Sequence, residues 1–274
     1  MSNISVRKKL GQIFLQDKTV LEKILSAAEI KAGDFILEIG PGKGILTASL
    51  LKQGGNILAI EKDPQLVKFI RNRFGNRPNL EIVQADIRDF LREKKQIQYI
   101  NKDRKYKVVG NIPYYLTSYL IRLLLESSPL PSLIILMVQK EVAQRIVAQP
   151  PKMNLLAVTT QFYAKPEIIS FVSRLAFSPS PKVDSAIIKL IPLLPQENKI
   201  DKKLFFKVVK AGFQHPRKLL LNNLPYNLKI SKDQLQKILV QMHLPFDTRA
   251  QNLSVAQWKT LTHKIASLFP ENIV

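Results

Sequence analysis

Through the first two-thirds of the chain, compact apolar runs alternate with stretches whose apolar residues return every three or four positions. The compact runs predict strands at residues 35–39, 56–60, 80–83, 106–109 and 133–138. The recurring stretches predict helices at 19–28, with Asp17 as a possible N-cap, and at 45–51, 64–74, 117–126 and 141–147. Strand–helix alternation of this kind implies an α/β fold with a mostly parallel, doubly wound sheet. Two later runs, 168–172 and 185–191, have no helix between them and predict an antiparallel hairpin at one edge of that sheet. Residues 192–199 are rich in proline and polar side chains and read as a linker. Beyond them the spacing is helical throughout, at 201–213, 217–224, 232–242 and 254–269. The expected organisation is an α/β domain over 1–195 and a small all-helical domain over 200–274.

What stands at the strand ends carries the chemistry. The first strand closes on Glu38-Ile39-Gly40-Pro41-Gly42-Lys43-Gly44, which opens a helix. Gly40 and Gly42 let backbone approach a ligand at a helix N-terminus. The spacing is G-x-G-x-G rather than the G-x-G-x-x-G of dinucleotide binders, which weakens a nicotinamide reading. Glu61 ends the second strand roughly 20 residues on, where a carboxylate takes ribose hydroxyls. Asp86 ends the third, where it could accept from the amine of a bound adenine. The fourth strand ends on Asn111-Ile112-Pro113-Tyr114. The Asn111 side-chain oxygen and the Ile112 carbonyl can both accept from an exocyclic amine. Pro113 has no N–H and stiffens the turn. Tyr114 offers a flat face for a base taken out of its stack. In open α/β sheets ligands bind at this edge. Glycine loop, Glu61, Asp86 and Asn111 together specify a nucleoside cofactor beside an amine-presenting site, a combination specific for S-adenosylmethionine and N-methylation. Taken singly, each acid also reads as a solvated surface group, and the Asn111 turn as an ordinary proline turn.

Charge narrows the partner. The 274 residues carry 42 Lys+Arg against 21 Asp+Glu, a net charge of +21. That excess points to a polyanion, nucleic acid before anything else, over simple solubility. Cysteine is missing, which excludes disulfides, zinc–thiolate sites and thiol catalysis; no metal is expected. The longest apolar stretch, 133–138, is far too short to span a bilayer, and the basic start lacks a signal-peptide pattern. A soluble, cytosolic monomer without a membrane partner is the default expectation.

Three further segments have two readings each. Gly11-Gln12-Ile13-Phe14-Leu15 reads as an N-terminal segment with a packed Phe. Phe177-Ser178-Pro179-Ser180-Pro181-Lys182-Val183-Asp184-Ser185 is a stiff loop whose Phe177 either faces Tyr114 across a flipped base or plugs the core. Arg217 and Lys218 open a predicted helix and either contact phosphates or form an ordinary charged face.

With these residues in hand, the chain resembles the ribosomal RNA adenine N6-dimethyltransferases nearly end to end. The similarity covers the Gly11 to Leu15 segment, the Glu38 to Gly44 loop, Glu61, Asp86, the Asn111 to Tyr114 turn and the Phe177 to Ser185 segment. It continues through residues 205–223 and Arg249-Ala250-Gln251-Asn252-Leu253-Ser254. The last three blocks favour the branch that modifies small-subunit (16S) RNA over the antibiotic-resistance branch that acts on large-subunit RNA. The resemblance implies a Rossmann-like class I methyltransferase domain with a helical C-terminal RNA-binding domain. It implies cofactor contacts at Leu15, Gly40, Glu61, Asp86 and Asn111, and small-subunit RNA in the immature 30S particle as partner. The chain departs from the family pattern in two places. Ile13 stands where the family usually has an Asn that contacts the cofactor, so only a backbone contact remains available there. Pro216 interrupts a run that is usually basic, leaving Arg217 and Lys218. A ribosome-assembly factor with weakened catalysis and a large-subunit dimethyltransferase are the alternative readings. A nicotinamide enzyme would leave Asn111 to Tyr114 and the charge unexplained.

Overall fold

The computed structural model describes residues 13–100, 105–194 and 200–268. The chain divides into two compact units, 1–144 with 164–192, and 145–163 with 193–274.

Among the described residues the first unit contains nine strands: β1 (Phe14–Leu15), β2 (Phe35–Ile39), β3 (Asn56–Glu61), β4 (Leu80–Gln84), β5 (Tyr106–Asn111), β6 (Leu133–Gln139), β7 (Ala164–Val172), β8 (Phe177–Ser178) and β9 (Ser185–Pro192). Seven of them form one sheet in the order β4-β3-β2-β5-β6-β9-β7. The strands from β4 to β6 run parallel, and β9 pairs antiparallel with both β6 and β7. Chain order reverses between β2 and β5, which makes their carboxyl ends the switch point where such sheets bind ligands. The helices are α1 (Lys18–Ala28), α2 (Ile45–Lys52), α3 (Pro64–Phe74), α4 (Ile87–Arg92), α5 (Gln96–Tyr99), α6 (Thr117–Leu125) and the start of α7 (Lys140–Ile146). Caps fix where they begin: Asp17 accepts from the N–H groups of Thr19 and Val20, and Asp63 from that of Gln65 ahead of Pro64.

Every expected strand is present, and the late pair forms the expected antiparallel edge. Its first member starts earlier, at Ala164 rather than 168, and runs through Pro166. An edge strand tolerates proline because one row of its N–H groups needs no ladder partner. The sequence reading left α4 unassigned, although Asp86 caps it by accepting from the Arg88 N–H. The β1–β8 ladder, Phe14 opposite Ser178 and Leu15 opposite Phe177, joins two segments far apart in sequence and leaves no local pattern.

The second unit is helical: α8 (Leu155–Tyr163), α9 (Lys202–Phe213), α10 (Leu220–Leu228), α11 (Lys232–Gln241) and α12 (Val255–Ala266). Residues 145–163 pack here, whereas the sequence reading placed them with the α/β domain. The reason is aromatic: the fully buried Phe162 stacks on Phe205 at 4.3 Å between centroids and meets Phe206 edge-on at 5.0 Å. Helix α10 begins at Leu220, not at 217, so Arg217 and Lys218 sit in the exposed turn before it. Capping boxes at Ser231/Gln234 and Ser254/Gln257 open α11 and α12. Buried Asn223 ties the turn to α9 by donating to the carbonyls of Gly212 and His215, each at 2.9 Å. Among the described residues no helix is long and apolar enough to cross a membrane.

Candidate active site

The ends of β2, β3 and β5 enclose a cavity of about 160 Å³ in the first unit. Its wall contains Ile13, Leu15, Gly40, Gly42, Glu61, Asp86 and Asn111, together with Ile112 and Pro113. All seven positions assigned to cofactor binding from sequence therefore meet around one space.

The glycine loop shapes one side. Gly40 and Gly42 hold φ of +67° and +58°, the left-handed region that side chains disfavour. A Cβ on Gly42 would also come within 3.2 Å of the Phe14 ring, which packs over the loop. Lys43 places its ammonium 4.8 Å from that ring centroid.

Acids line the rest. Glu61 is buried, with Oε1 accepting from the Asp63 N–H at 2.9 Å and Oε2 from the Gly42 N–H at 3.4 Å. Each oxygen keeps a further lone pair for a ligand hydroxyl. Burial pushes its pKa up, against those N–H donors. Glu38 was read from sequence only as part of the loop, yet it lines the cavity at 1% exposure. Neither of its oxygens has a hydrogen-bond partner among the described residues. Desolvation raises its pKa to about 8; nearby Thr47 opposes the rise and the charge of Glu61 adds to it. The signal was available: β2 reads Phe-Ile-Leu-Glu-Ile, and a carboxyl within an otherwise apolar buried strand calls for a ligand-facing reason.

Asp86 differs from its expected role as a free acceptor. Its Oδ1 takes the Arg88 N–H at 2.9 Å and Nε at 3.0 Å, and its Oδ2 takes Arg88 Nη2 at 2.6 Å and Lys62 Nζ at 2.9 Å. Four donors fill a carboxylate, so an adenine amine must displace one of them. The Arg88 guanidinium holds the Asp86 carboxyl far below the ordinary range, with Lys62 assisting.

At the end of β5, Asn111 Nδ2 donates to the main-chain carbonyl of Ile13 at 3.4 Å, and Asn111 Oδ1 is buried without a partner among the described residues. Tyr114 is half-buried and lies off the cavity wall; its hydroxyl is 2.7 Å from Ser185 Oγ. Besides Phe14, the cavity is lined by the exposed ring of Tyr115, which has no role in the sequence reading. Phe177 is 4% exposed and packs in the core with Leu15, Val20 and Ile24. It presents no face to a base here: its β8 position opposite Leu15 turns it inward. Arg217 and Lys218 lie in the other unit, both exposed.

The residues present suit a nucleoside-bearing cation. Glu38 and Asn111 offer buried acceptors without partners, Glu61 has spare lone pairs, and the glycine loop leaves room for close approach.

The profile of a family described as ribosomal RNA adenine dimethylase matches residues 3–267. Ribosomal RNA small subunit methyltransferase A of Dehalococcoides mccartyi is 40% identical over 259 residues, 94% of this chain and 88% of that protein. The protein of the same name from Synechocystis is 37% identical over 284 residues, covering 96% and 98%. A crystal structure of a dimethyladenosine transferase from Plasmodium falciparum superposes with TM-score 0.74 at 27% identity, covering 94% of this chain and 98% of that one. That of the 23S rRNA methyltransferase ErmE gives 0.72 at 26%, covering 92% and 99%. Sequence over nearly the whole length and fold agree: this chain is a member of the ribosomal RNA adenine dimethylase family.

Proposed function

We propose that this chain N6,N6-dimethylates two adjacent adenosines in the 3′-terminal hairpin loop of small-subunit RNA, using S-adenosylmethionine and acting on the immature 30S particle. The buried, unpartnered Oδ1 of Asn111 on the cavity wall carries the reading. An acceptor that has been desolvated and left unpaired is matched by an entering N–H2 group.

Gly40, Gly42, Glu61 and Asp86 would hold the cofactor, which supplies an electrophilic methyl group when bound. The adenine amine is a weak nucleophile because its lone pair is delocalised into the ring. Asn111 Oδ1 and the Ile112 carbonyl accept its two N–H groups, turn the lone pair toward the electrophile and stabilise the positive charge the nitrogen gains. The extra proton then leaves to solvent, and no general base is required in the ground state. Tyr114, anchored through Ser185, supports the ring of the base. Most of the acceleration comes from positioning and charge stabilisation. In the helical unit, exposed Arg217 and Lys218 supply phosphate contacts. The names of the curated relatives favour the small subunit over the large.

The test is transfer of labelled methyl groups to small subunits lacking the modification, with nucleoside analysis of the RNA. Dimethyladenosine at two adjacent positions is expected. Label entering large-subunit RNA instead, or binding to the small subunit without transfer, would overturn the proposal.

A further inference from the structure

A second concavity opens in the first unit beyond the end of β6, lined by Lys140, Glu141, Gln144, Arg174, Lys182 and Asp184. We propose that it holds a backbone phosphate of the RNA strand beside the adenosine being methylated. This rests on the reading of the chain as an RNA methyltransferase.

Its cations are uncommitted. Among the described residues, no carboxylate lies within ion-pair distance of Lys140, Arg174 or Lys182. Asp184 is occupied as a brace: its Oδ1 accepts from the Arg174 N–H at 3.1 Å and its carbonyl from the Lys140 N–H at 3.0 Å. Ser180 Oγ donates to the Arg174 carbonyl at 3.0 Å, so the loop that presents Arg174 and Lys182 is fixed. Aromatic surface adjoins the cations. Lys140 Nζ sits 5.3 Å from the centroid of Phe171, a ring 51% exposed. Cations beside an open aromatic face are what a single nucleic-acid strand needs, phosphates on one and bases on the other.

The location fits the same strand. Asn111 is opposite Met137 in the sheet, and Gln139 is opposite Ser185, whose hydroxyl holds Tyr114. Lys140 follows directly. One strand spacing plus a three-residue advance puts the Lys140 backbone roughly 11 Å from that of Asn111, about the rise of three stacked nucleotides, and Arg174 and Lys182 line the same concavity as Lys140. A strand whose target base enters at Asn111 therefore runs over this pocket.

The test compares the double variant Arg174→Ala/Lys182→Ala with a control, Lys52→Ala/Lys68→Ala, whose exposed lysines lie on α2 and α3. Each protein is titrated with an RNA hairpin of the small-subunit 3′ end across a salt series, and separately with S-adenosylmethionine. For the pocket variant, the slope of log affinity against log salt should shrink by about 0.7, the loss of one phosphate contact on a single strand. Half-saturating RNA in the methylation assay should rise about tenfold, with the rate at saturating RNA and cofactor binding unchanged. An unchanged slope overturns the proposal, and so does an equal change in the control, which would mean a diffuse field rather than a site. Should the wild type bind the hairpin but transfer no methyl group, the methylation reading fails while a reduced slope still supports the pocket.

Discussion

Asn111 and Ile13, remote in sequence, meet through a side chain and a main chain: the Asn111 amide donates to the Ile13 carbonyl at 3.4 Å. That bond fixes which end of the amide is nitrogen and leaves Oδ1 as the free acceptor. A buried acceptor without a partner costs roughly 1–3 kcal/mol, a cost relieved when a substrate amine arrives. The N-terminal segment thus orients the group that receives the substrate.

Asn111→Ala should therefore remove an acceptor aimed at charge that develops during transfer. The expected loss is about 10²–10³-fold in the rate at saturating substrates. Circular dichroism should stay near wild type and the melting temperature should fall only slightly: the variant loses the Nδ2 bond to the Ile13 carbonyl, and the oxygen deleted with it has no partner among the described residues. Undiminished methylation would remove Asn111 from the mechanism.

Because the contact at position 13 uses a carbonyl, any residue there can make it. The wild type, with Ile13, is expected to be active. Ile13→Asn adds only a side-chain hydrogen bond to the cofactor, about 1 kcal/mol, or roughly fivefold in affinity. Calorimetric titration should show that tightening with an unchanged rate at saturating cofactor. A large gain in that rate would mean that Ile13 limits catalysis itself.

The sheet and the cavity were legible because both depend on short-range pattern. Apolar runs marked the strands of the parallel sheet, and the ligand-facing residues stood where those runs end, at Gly40, Glu61, Asp86 and Asn111. What stayed hidden depends on contacts remote in sequence. The inward turn of Phe177 follows from its pairing with Leu15. The filling of Asp86 combines Lys62, 24 residues away, with the side chain of Arg88, two residues on, whose fold back over the carboxylate no spacing pattern signals. Helix α8 lacks a clean apolar stripe and is held by Phe162 against Phe205; only Asn154, accepting from the Ala157 N–H, marked its start locally. Arg217 looked helical by spacing, but the chain turns there under Asn223.

The Tyr114 side chain is anchored through its hydroxyl, 2.7 Å from Oγ of the fully buried Ser185. Tyr114→Phe keeps the ring and loses the anchor, whereas Tyr114→Ala loses both. The Ala variant should raise the RNA concentration for half-maximal methylation by about 5–150-fold, the worth of one stacked base at 1–3 kcal/mol. The Phe variant should fall between it and wild type. Ser185→Ala should match Tyr114→Phe, and combining the two should add little, because both remove the same bond. Fully additive effects would show that Ser185 acts elsewhere.

Glu38 makes the stability of the ligand-free protein depend on pH in an unusual direction. Its carboxyl keeps a proton to about pH 8 when folded, because burial disfavours the charge, but ionises near 4.3 when unfolded. Between those values the folded chain binds more protons than the unfolded one, so this group's contribution falls as pH rises. It is complete below the unfolded value and is lost progressively up to about pH 8, at no more than roughly 1.4 kcal/mol per pH unit. Glu38→Gln cannot ionise and lacks this slope. Urea midpoints at pH 5, 6.5 and 8 should fall more steeply in the wild type than in the Gln variant, the difference cancelling titrations common to both. Parallel pH profiles would mean that Glu38 is already charged at neutrality, and that the cavity supplies it with a partner even before a ligand binds.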